Sequence, residues 1–91
     1  MDRPIWDPEK DRINRAKHGV TFEEARLVLL DPLTRRWPDL DHSGDEDRTI
    51  AIGTTLPGQL LVVVTSVEDG KMRIISARRA TKRERHAYED F

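Results

Sequence analysis

Apolar positions in the first third of the chain recur at helical spacing, and Gly19 divides them into two helices. Residues 5–19, IWDPEKDRINRAKHG, predict a short extended arm followed by a helix. Asp7 suits the N-cap, Pro8 the first helical position, and Gly19 a left-handed stop. The apolar stripe of this helix is thin and consists of Ile13, Ala16 and Val20.

A second helix is predicted within residues 21–32, TFEEARLVLLDP. Thr21 and Glu24 have the spacing of a capping box, and Asp31 followed by Pro32 ends the helical pattern. The apolar side chains that share one face are Phe22, Ala25, Val28 and Leu29.

The pattern changes to strands in the second half, where RTIAIGTT, QLLVVVTSV and KMRIISAR follow one another. Pro57-Gly58 and Asp69-Gly70 separate these runs and are typical of tight turns. Upstream, LTRRWPDLD contains Pro38, which restricts it to an edge strand at most. The last segment, TKRERHAYEDF, repeats the capping-box spacing and predicts a short C-terminal helix.

This order of elements predicts an α+β fold, with two N-terminal helices packed on an antiparallel sheet of three to four strands and a short C-terminal helix. Residues 1–91 are expected to form a single domain, because two domains of this size would each bury too little apolar surface.

Two-residue loops in both hairpins would make paired residue numbers sum to 115 across the first turn and to 139 across the second. Under this register the bulkier face, on which we expect the two helices to pack, carries Ile50, Ile52, Leu61, Val63, Met72 and Ile74, with Arg48 and Arg78 at its ends. The opposite face carries Thr49, Ala51, Gly53, Thr55, Leu60, Val62, Val64, Ser66, Ile75 and Ala77, with Arg73 and Arg79.

The formal net charge of -1 conceals a segregation of charge. Residues 39–47 hold five acidic and no basic side chains, whereas residues 71–85 hold seven basic side chains and one acid. A polyanion responds to the local potential of such a segment rather than to the total charge. The C-terminal basic segment therefore suggests contacts with phosphate groups, although a solvated surface is the plain alternative.

Other features exclude whole classes of function. Without cysteine, the chain has no disulfide, thiolate metal site or cysteine nucleophile. No apolar run is long enough for a membrane span, and the N-terminus lacks the apolar core of a signal peptide, so a cytoplasmic location and no membrane partner are expected. His42 among acidic residues has no recognised metal-ligand spacing, so no metal is assigned there.

Several of these segments together resemble the BrnT family of toxins, the ribonuclease half of the BrnT-BrnA toxin-antitoxin pairs. The segments that carry the resemblance are WDPEKDRINRAKHGVTFEEA, DP, DRTIAIG, LLVVVTS and RIISARRATKRERHAYE. The resemblance covers nearly the whole chain. It implies a RelE-like fold, metal-independent RNA cleavage with no cofactor, and growth arrest. It also implies a hetero-oligomer with a BrnA-type antitoxin that bears a ribbon-helix-helix domain.

The chemistry implied is attack of a ribose 2′-OH on its own 3′-phosphate, which needs a base, cations around phosphorus and a proton for the leaving oxygen. Arg78 is the leading candidate for the phosphate contact, because arginine binds phosphate oxygens with two parallel hydrogen bonds. His18 is the leading general base, since histidine exchanges protons near neutral pH. The other catalytic candidates are Lys17, Arg48, His86 and Tyr88, and the RNA-binding candidates are Arg73, Arg79, Lys82 and Arg83.

Each candidate also has a structural interpretation. Lys17 and His18 in a last helical turn are ordinary partners of the helix dipole, and Tyr88 is equally suited to anchor the last helix. Arg48 follows acidic residues that it could neutralise. A non-catalytic nucleic-acid-binding module or a protein-interaction module therefore remains an alternative to the ribonuclease.

Overall fold

The computed structural model describes residues 3–41, 47–55 and 58–89. Across these ranges the α+β prediction is confirmed, and the sheet has four antiparallel strands in the order β1-β2-β3-β4. The elements are α1 (Pro8–His18), α2 (Phe22–Leu30), β1 (Arg35–Pro38), β2 (Asp47–Thr54), β3 (Leu60–Glu68), β4 (Lys71–Arg79) and α3 (Lys82–Glu89). No helix in the described part is long and apolar enough to cross a membrane.

The predicted helix caps are present. The Asp7 side chain accepts from the Glu9 N–H at 2.9 Å, and Gly19 adopts φ 70° while its N–H donates to the Arg15 carbonyl. Thr21 and Glu24 form the full reciprocal capping box of α2. These caps satisfy backbone groups that a helix leaves unpaired at its ends, so each boundary is set locally.

The predicted apolar face of α2 is buried, whereas the stripe predicted for α1 is largely wrong. Phe22, Ala25 and Val28 of α2 are fully buried. In α1, Ile13 is 50% exposed and Ala16 is also exposed, and the buried residue of this helix is Asn14. The helix is held to the sheet by a polar side chain in place of an apolar stripe.

The two hairpins differ in how well their register was predicted. Asp69 and Gly70 form a two-residue turn with positive φ at both positions, and Glu68 pairs with Lys71, so the sum of 139 is confirmed at this turn. Across the first turn Thr54 pairs with Leu60, which gives a sum of 114. The prediction of 115 is wrong because five residues separate the paired Thr54 and Leu60, and not the even number that a two-residue loop requires.

A shift of one residue moves a strand's side chains to the other face relative to its neighbour. The helices pack on a face that carries Leu61, Val63 and Ile74, as predicted, but Ile50 and Ile52 point the other way. Ala51 and Gly53 take their places beneath α2. The small residues allow close approach, and a Cβ on Gly53 would collide with Thr34 Oγ1.

An irregularity in β4 produces a second reversal. Val64 pairs with Ser76 and the next residue, Thr65, pairs with Ile74, so Ile75 is an extra residue. Such a bulge switches the faces of the residues beyond it. Ala77 is therefore buried under the helices, and Arg78 lies on the opposite face, contrary to the prediction.

Helix α3 partly covers that opposite face at one end. Ile52, Leu60 and Val62 form a small buried cluster there, against which Ile50, Ala80 and Tyr88 pack. The outer edge of β4 is covered by the predicted N-terminal arm, since the Ile5 N–H donates to the Met72 carbonyl and the Ile74 N–H donates to the Ile5 carbonyl, both at 2.9 Å.

Candidate active site

Arg48 of β2 and Arg73 and Arg78 of β4 lie on the sheet face that α1 and α2 leave open, and Arg35 of β1 shares this face, where it stacks on Tyr88. Arg48 and Arg73 both pair with Ser66, one on each side, and Arg78 pairs with Val62. Paired residues share a face, and Ser66 and Val62 are both on the same side of β3. We call this surface the arginine face; it is defined by Arg48, Ile50, Val64, Ser66, Arg73, Ser76 and Arg78.

The bulge at Ile75 places Arg73 and Arg78 on the same face of the sheet. Residues five apart in a regular strand point to opposite sides, because side chains alternate. The extra residue interrupts this alternation, so that Arg73 and Arg78 point to the same face. Arg48, Arg73 and Arg78 are all half-buried, and Ser66 between Arg48 and Arg73 is only 1% exposed.

Arg78 is held by a carboxylate from α3. Its Nη1 donates to Glu84 Oε1 and its Nη2 to Glu84 Oε2, both at 2.8 Å, and Nη1 also donates to the Arg79 carbonyl at 3.2 Å. Hydrogen bonding from Arg78, helped by the Thr81 N–H, lowers the pKa of Glu84 to about 2 from its ordinary 4.5. The same bond raises the pKa of Arg78. The pair stays ionised at neutral pH.

The end of α1 forms a cleft against the bulged part of β4. Lys17 and His18 line this cleft, which has a volume of about 200 Å³, together with Ile75 and Ser76. His18 is half-buried and Lys17 is exposed. Ser76 also belongs to the arginine face. The candidate base His18 therefore lies beside β4, the strand that carries Arg78.

The remaining candidates are more scattered. Arg79 pairs with Leu61 and therefore lies on the helix side of the sheet, where it is exposed. Lys82, Arg83 and His86 are exposed on α3. Tyr88 packs against the buried cluster under α3, and the Arg35 guanidinium stacks 5.3 Å from its ring centroid, which fits the anchoring interpretation.

Two residues near the site were missed from the sequence. Asn14 is buried, and its Nδ2 donates to the Ala77 carbonyl at 2.8 Å and to the Val20 carbonyl at 3.0 Å, while the Ala77 N–H donates to Oδ1. It joins α1 to the strand residue directly before Arg78. Thr81 and Glu84 have the capping-box spacing noted for the last segment, and this spacing gives no sign of the contact between Glu84 and Arg78. Asn14 carries no sequence signal, because it lies about 100° from Ile13 around α1, outside the predicted apolar stripe.

Within the described ranges no group of three His, Asp or Glu side chains is arranged to hold a metal ion. His42 and most of the acidic segment of residues 39–47 lie outside the described residues. The arrangement supplies arginine cations on one face and an imidazole in a cleft beside the same strand.

Comparisons with known proteins identify the family of the chain and a similar fold. Residues 6–84 match a family described as the ribonuclease toxin BrnT of type II toxin-antitoxin systems. The fold is similar to the 1.1 Å crystal structure of the Brucella abortus ribonuclease toxin BrnT, with a TM-score of 0.71 and 26% identity, over 90% of this chain and 100% of that chain. A comparison with curated proteins gives no match. The chain belongs to the BrnT family of ribonuclease toxins of type II toxin-antitoxin systems.

Proposed function

We propose that this toxin cleaves RNA in the cytoplasm, without a metal ion, by attack of a 2′-OH on the adjacent phosphate at the arginine face. The observation that carries the proposal is that Arg48, Arg73 and Arg78 all lie on one open sheet face, with Arg48 and Arg73 flanking Ser66 and Arg78 beside Val62. Arginine favours phosphate oxygens because its planar fork matches their geometry and it remains charged.

In the proposed reaction His18 accepts the proton of the 2′-OH while the 2′-oxygen bonds to phosphorus. The bond from phosphorus to the 5′-oxygen breaks, and a protonated side chain returns a proton to that oxygen, with Lys17 and His86 as the available donors. Arg78, with Arg48, stabilises the charge that develops on the phosphoryl oxygens. The products are a 2′,3′-cyclic phosphate and a 5′-hydroxyl.

Other basic residues are assigned to binding. Arg73 continues the arginine face, and the exposed Arg79, Lys82 and Arg83 contact the RNA backbone nearby. Contacts of this kind position a nucleic acid without reading its sequence. Tyr88 supports α3, so base stacking is not assigned to it.

The partner that we propose is a BrnA-type ribbon-helix-helix antitoxin that covers the basic surface. A second contact is available at β1, where Trp37 is 41% exposed and Leu33 is 76% exposed beside a groove of about 750 Å³. Exposed apolar side chains of this size often mark protein interfaces. The toxin and antitoxin would then form a hetero-oligomer.

The proposal is tested with purified toxin and a single-stranded RNA oligonucleotide in the presence of EDTA. We expect cleavage with a 2′,3′-cyclic phosphate end, and no cleavage where the reacting nucleotide carries 2′-deoxyribose. Binding of RNA without cleavage would support a non-catalytic binding module. Cleavage that persists at the 2′-deoxy position would exclude 2′-OH attack.

A further inference from the structure

Glu84 contacts Arg78 through one end of the guanidinium group. Its two carboxylate oxygens accept from Nη1 and Nη2, each at 2.8 Å, and the Arg79 carbonyl accepts a further hydrogen bond from Nη1. Three of the five N–H groups are therefore used within the protein. The hydrogen bonds hold a long side chain in one orientation at the end of β4.

The other edge of the guanidinium remains available. No described residue accepts a hydrogen bond from Arg78 Nε, and the second hydrogen of Nη2 lies on the same edge. The Arg78 side chain is 39% exposed. An edge with two parallel N–H groups is the arrangement that binds two oxygens of one phosphate.

We propose that Glu84 is a positioning residue that presents the Nε edge of Arg78 to the scissile phosphate. This inference rests on the proposed function of Arg78 at the arginine face. Glu84 itself does not touch the RNA. Its role is to fix the guanidinium before RNA arrives, so that little reorganisation is required when charge develops on phosphorus.

The Glu84–Arg78 pair should affect RNA binding and catalysis differently. A carboxylate beside Arg78 lowers the local positive potential, so it does not help the attraction of RNA. Its benefit is confined to the orientation of the arginine during reaction. Loss of the carboxylate should consequently slow the chemical step while RNA binding stays the same or becomes tighter.

Glu84 also caps α3, and this second role needs a control. Its Oε1 accepts from the Thr81 N–H at 2.8 Å, and the Glu84 N–H donates to Thr81 Oγ1 at 3.1 Å. Glutamine serves in capping boxes as well as glutamate. Glu84→Gln therefore keeps the cap and removes the charged partner of Arg78, whereas Thr81→Ala weakens the cap and leaves the Arg78 pair.

The test measures single-turnover cleavage of RNA at saturating protein and, separately, the Kd for a non-cleavable 2′-deoxy analogue. We expect Glu84→Gln to reduce the rate at least about tenfold with Kd unchanged or lower, and Thr81→Ala to cleave at nearly the wild-type rate. Glu84→Asp, which keeps the charge but shortens the reach, is expected to reduce the rate as well.

Three results would overturn the inference. Faster cleavage by Glu84→Gln would make Glu84 an inhibitory latch on Arg78. Equal losses in Thr81→Ala and Glu84→Gln, with equal losses of Tm, would leave only the capping role. Wild-type rates in Glu84→Asp and Glu84→Gln, together with an inactive Arg78→Ala, would remove Glu84 from the mechanism while the proposed function stands. A fully active Arg78→Ala would instead refute the proposed role of Arg78 itself.

Discussion

At the scale of single residues, Glu84 should make folding sensitive to acid. Its pKa falls from 4.5 to about 2 in the folded protein, chiefly through the hydrogen bonds from Arg78. A depressed carboxylate pKa stabilises the fold above pH 4.5, and this contribution is lost as pH falls towards 2. Because Arg78 is partly exposed, we expect an effect of only about 1 kcal/mol.

Urea unfolding of wild type and Glu84→Gln between pH 6 and pH 2 measures this contribution. The difference between their free energies of unfolding should shrink as pH falls through this window. A difference that stays constant over the whole range would mean that the pair does not contribute to folding stability.

His18 provides the second prediction at this scale. It lines the cleft between α1 and β4 but also lies in the last turn of α1, where a cation interacts favourably with the helix dipole. If His18 is the base, His18→Gln should reduce cleavage about 10²-fold or more and change the dependence of the rate on pH. The measurement is kcat against pH for both proteins, and an unchanged profile would return His18 to a structural role.

At the scale of elements, local signals were sufficient for the helices and for one hairpin. Asp7, Thr21 and Gly19 act through neighbouring backbone groups, so their effect is readable from adjacent residues. Asp69-Gly70 fixes a two-residue turn for the same reason, since both residues adopt positive φ. These boundaries needed no knowledge of tertiary contacts.

The register of the arginine face could not be obtained in this way. Pro57-Gly58 indicated a turn but not the five-residue length of its connection. No glycine or proline near Ile75 indicates the bulge in the sequence. Next to it, Ala77 is bonded to Asn14, which is 63 residues away in sequence. The sequence therefore shows Arg48, Arg73 and Arg78 as basic residues of predicted strands, but their common face depends on contacts between distant segments.

Gly53 gives a prediction about the packing of α2 on the sheet. An added Cβ would collide with Thr34 Oγ1 and lie 3.1 Å from Val28 Cγ1. Gly53→Ala should destabilise the protein by about 1–3 kcal/mol, the usual cost of overpacking. Thermal unfolding of Gly53→Ala, Thr34→Ala and the double variant tests the contact, because relief of the collision should make the double variant more stable than the sum of the single effects predicts. Strict additivity would contradict it.

At the scale of the whole molecule, the segregation of charge should influence the binding of both RNA and the antitoxin. Replacement of Lys82 and Arg83 by alanine removes two exposed cations of α3. If both contact RNA phosphates, RNA affinity should fall and the slope of log Kd against log salt should decrease by about 1.4. Antitoxin affinity should also fall, but with a weaker salt dependence, because apolar burial contributes to that interface.

Arg12→Ala with Arg26→Ala is the matched control for this experiment. These arginines pair with Glu9 and Glu23 on α1 and α2, so the control removes the same total charge from another surface. RNA and antitoxin affinity should be nearly unchanged. Lost RNA binding with full antitoxin affinity in the Lys82 and Arg83 variant would mean that the antitoxin inhibits from elsewhere.

The central claim, that Arg78 on the arginine face stabilises the reacting phosphate, is tested most directly by the single-turnover rate of RNA cleavage by Arg78→Ala. We expect the rate to fall about 10²–10³-fold, as for loss of one donor to a developing oxyanion. Arg78→Lys should also be strongly impaired, since an ammonium group cannot replace the two-pronged contact. Arg26→Ala, which removes a cation from α2, should retain the wild-type rate. A folded Arg78→Ala protein that cleaves RNA as fast as the wild type would contradict the account.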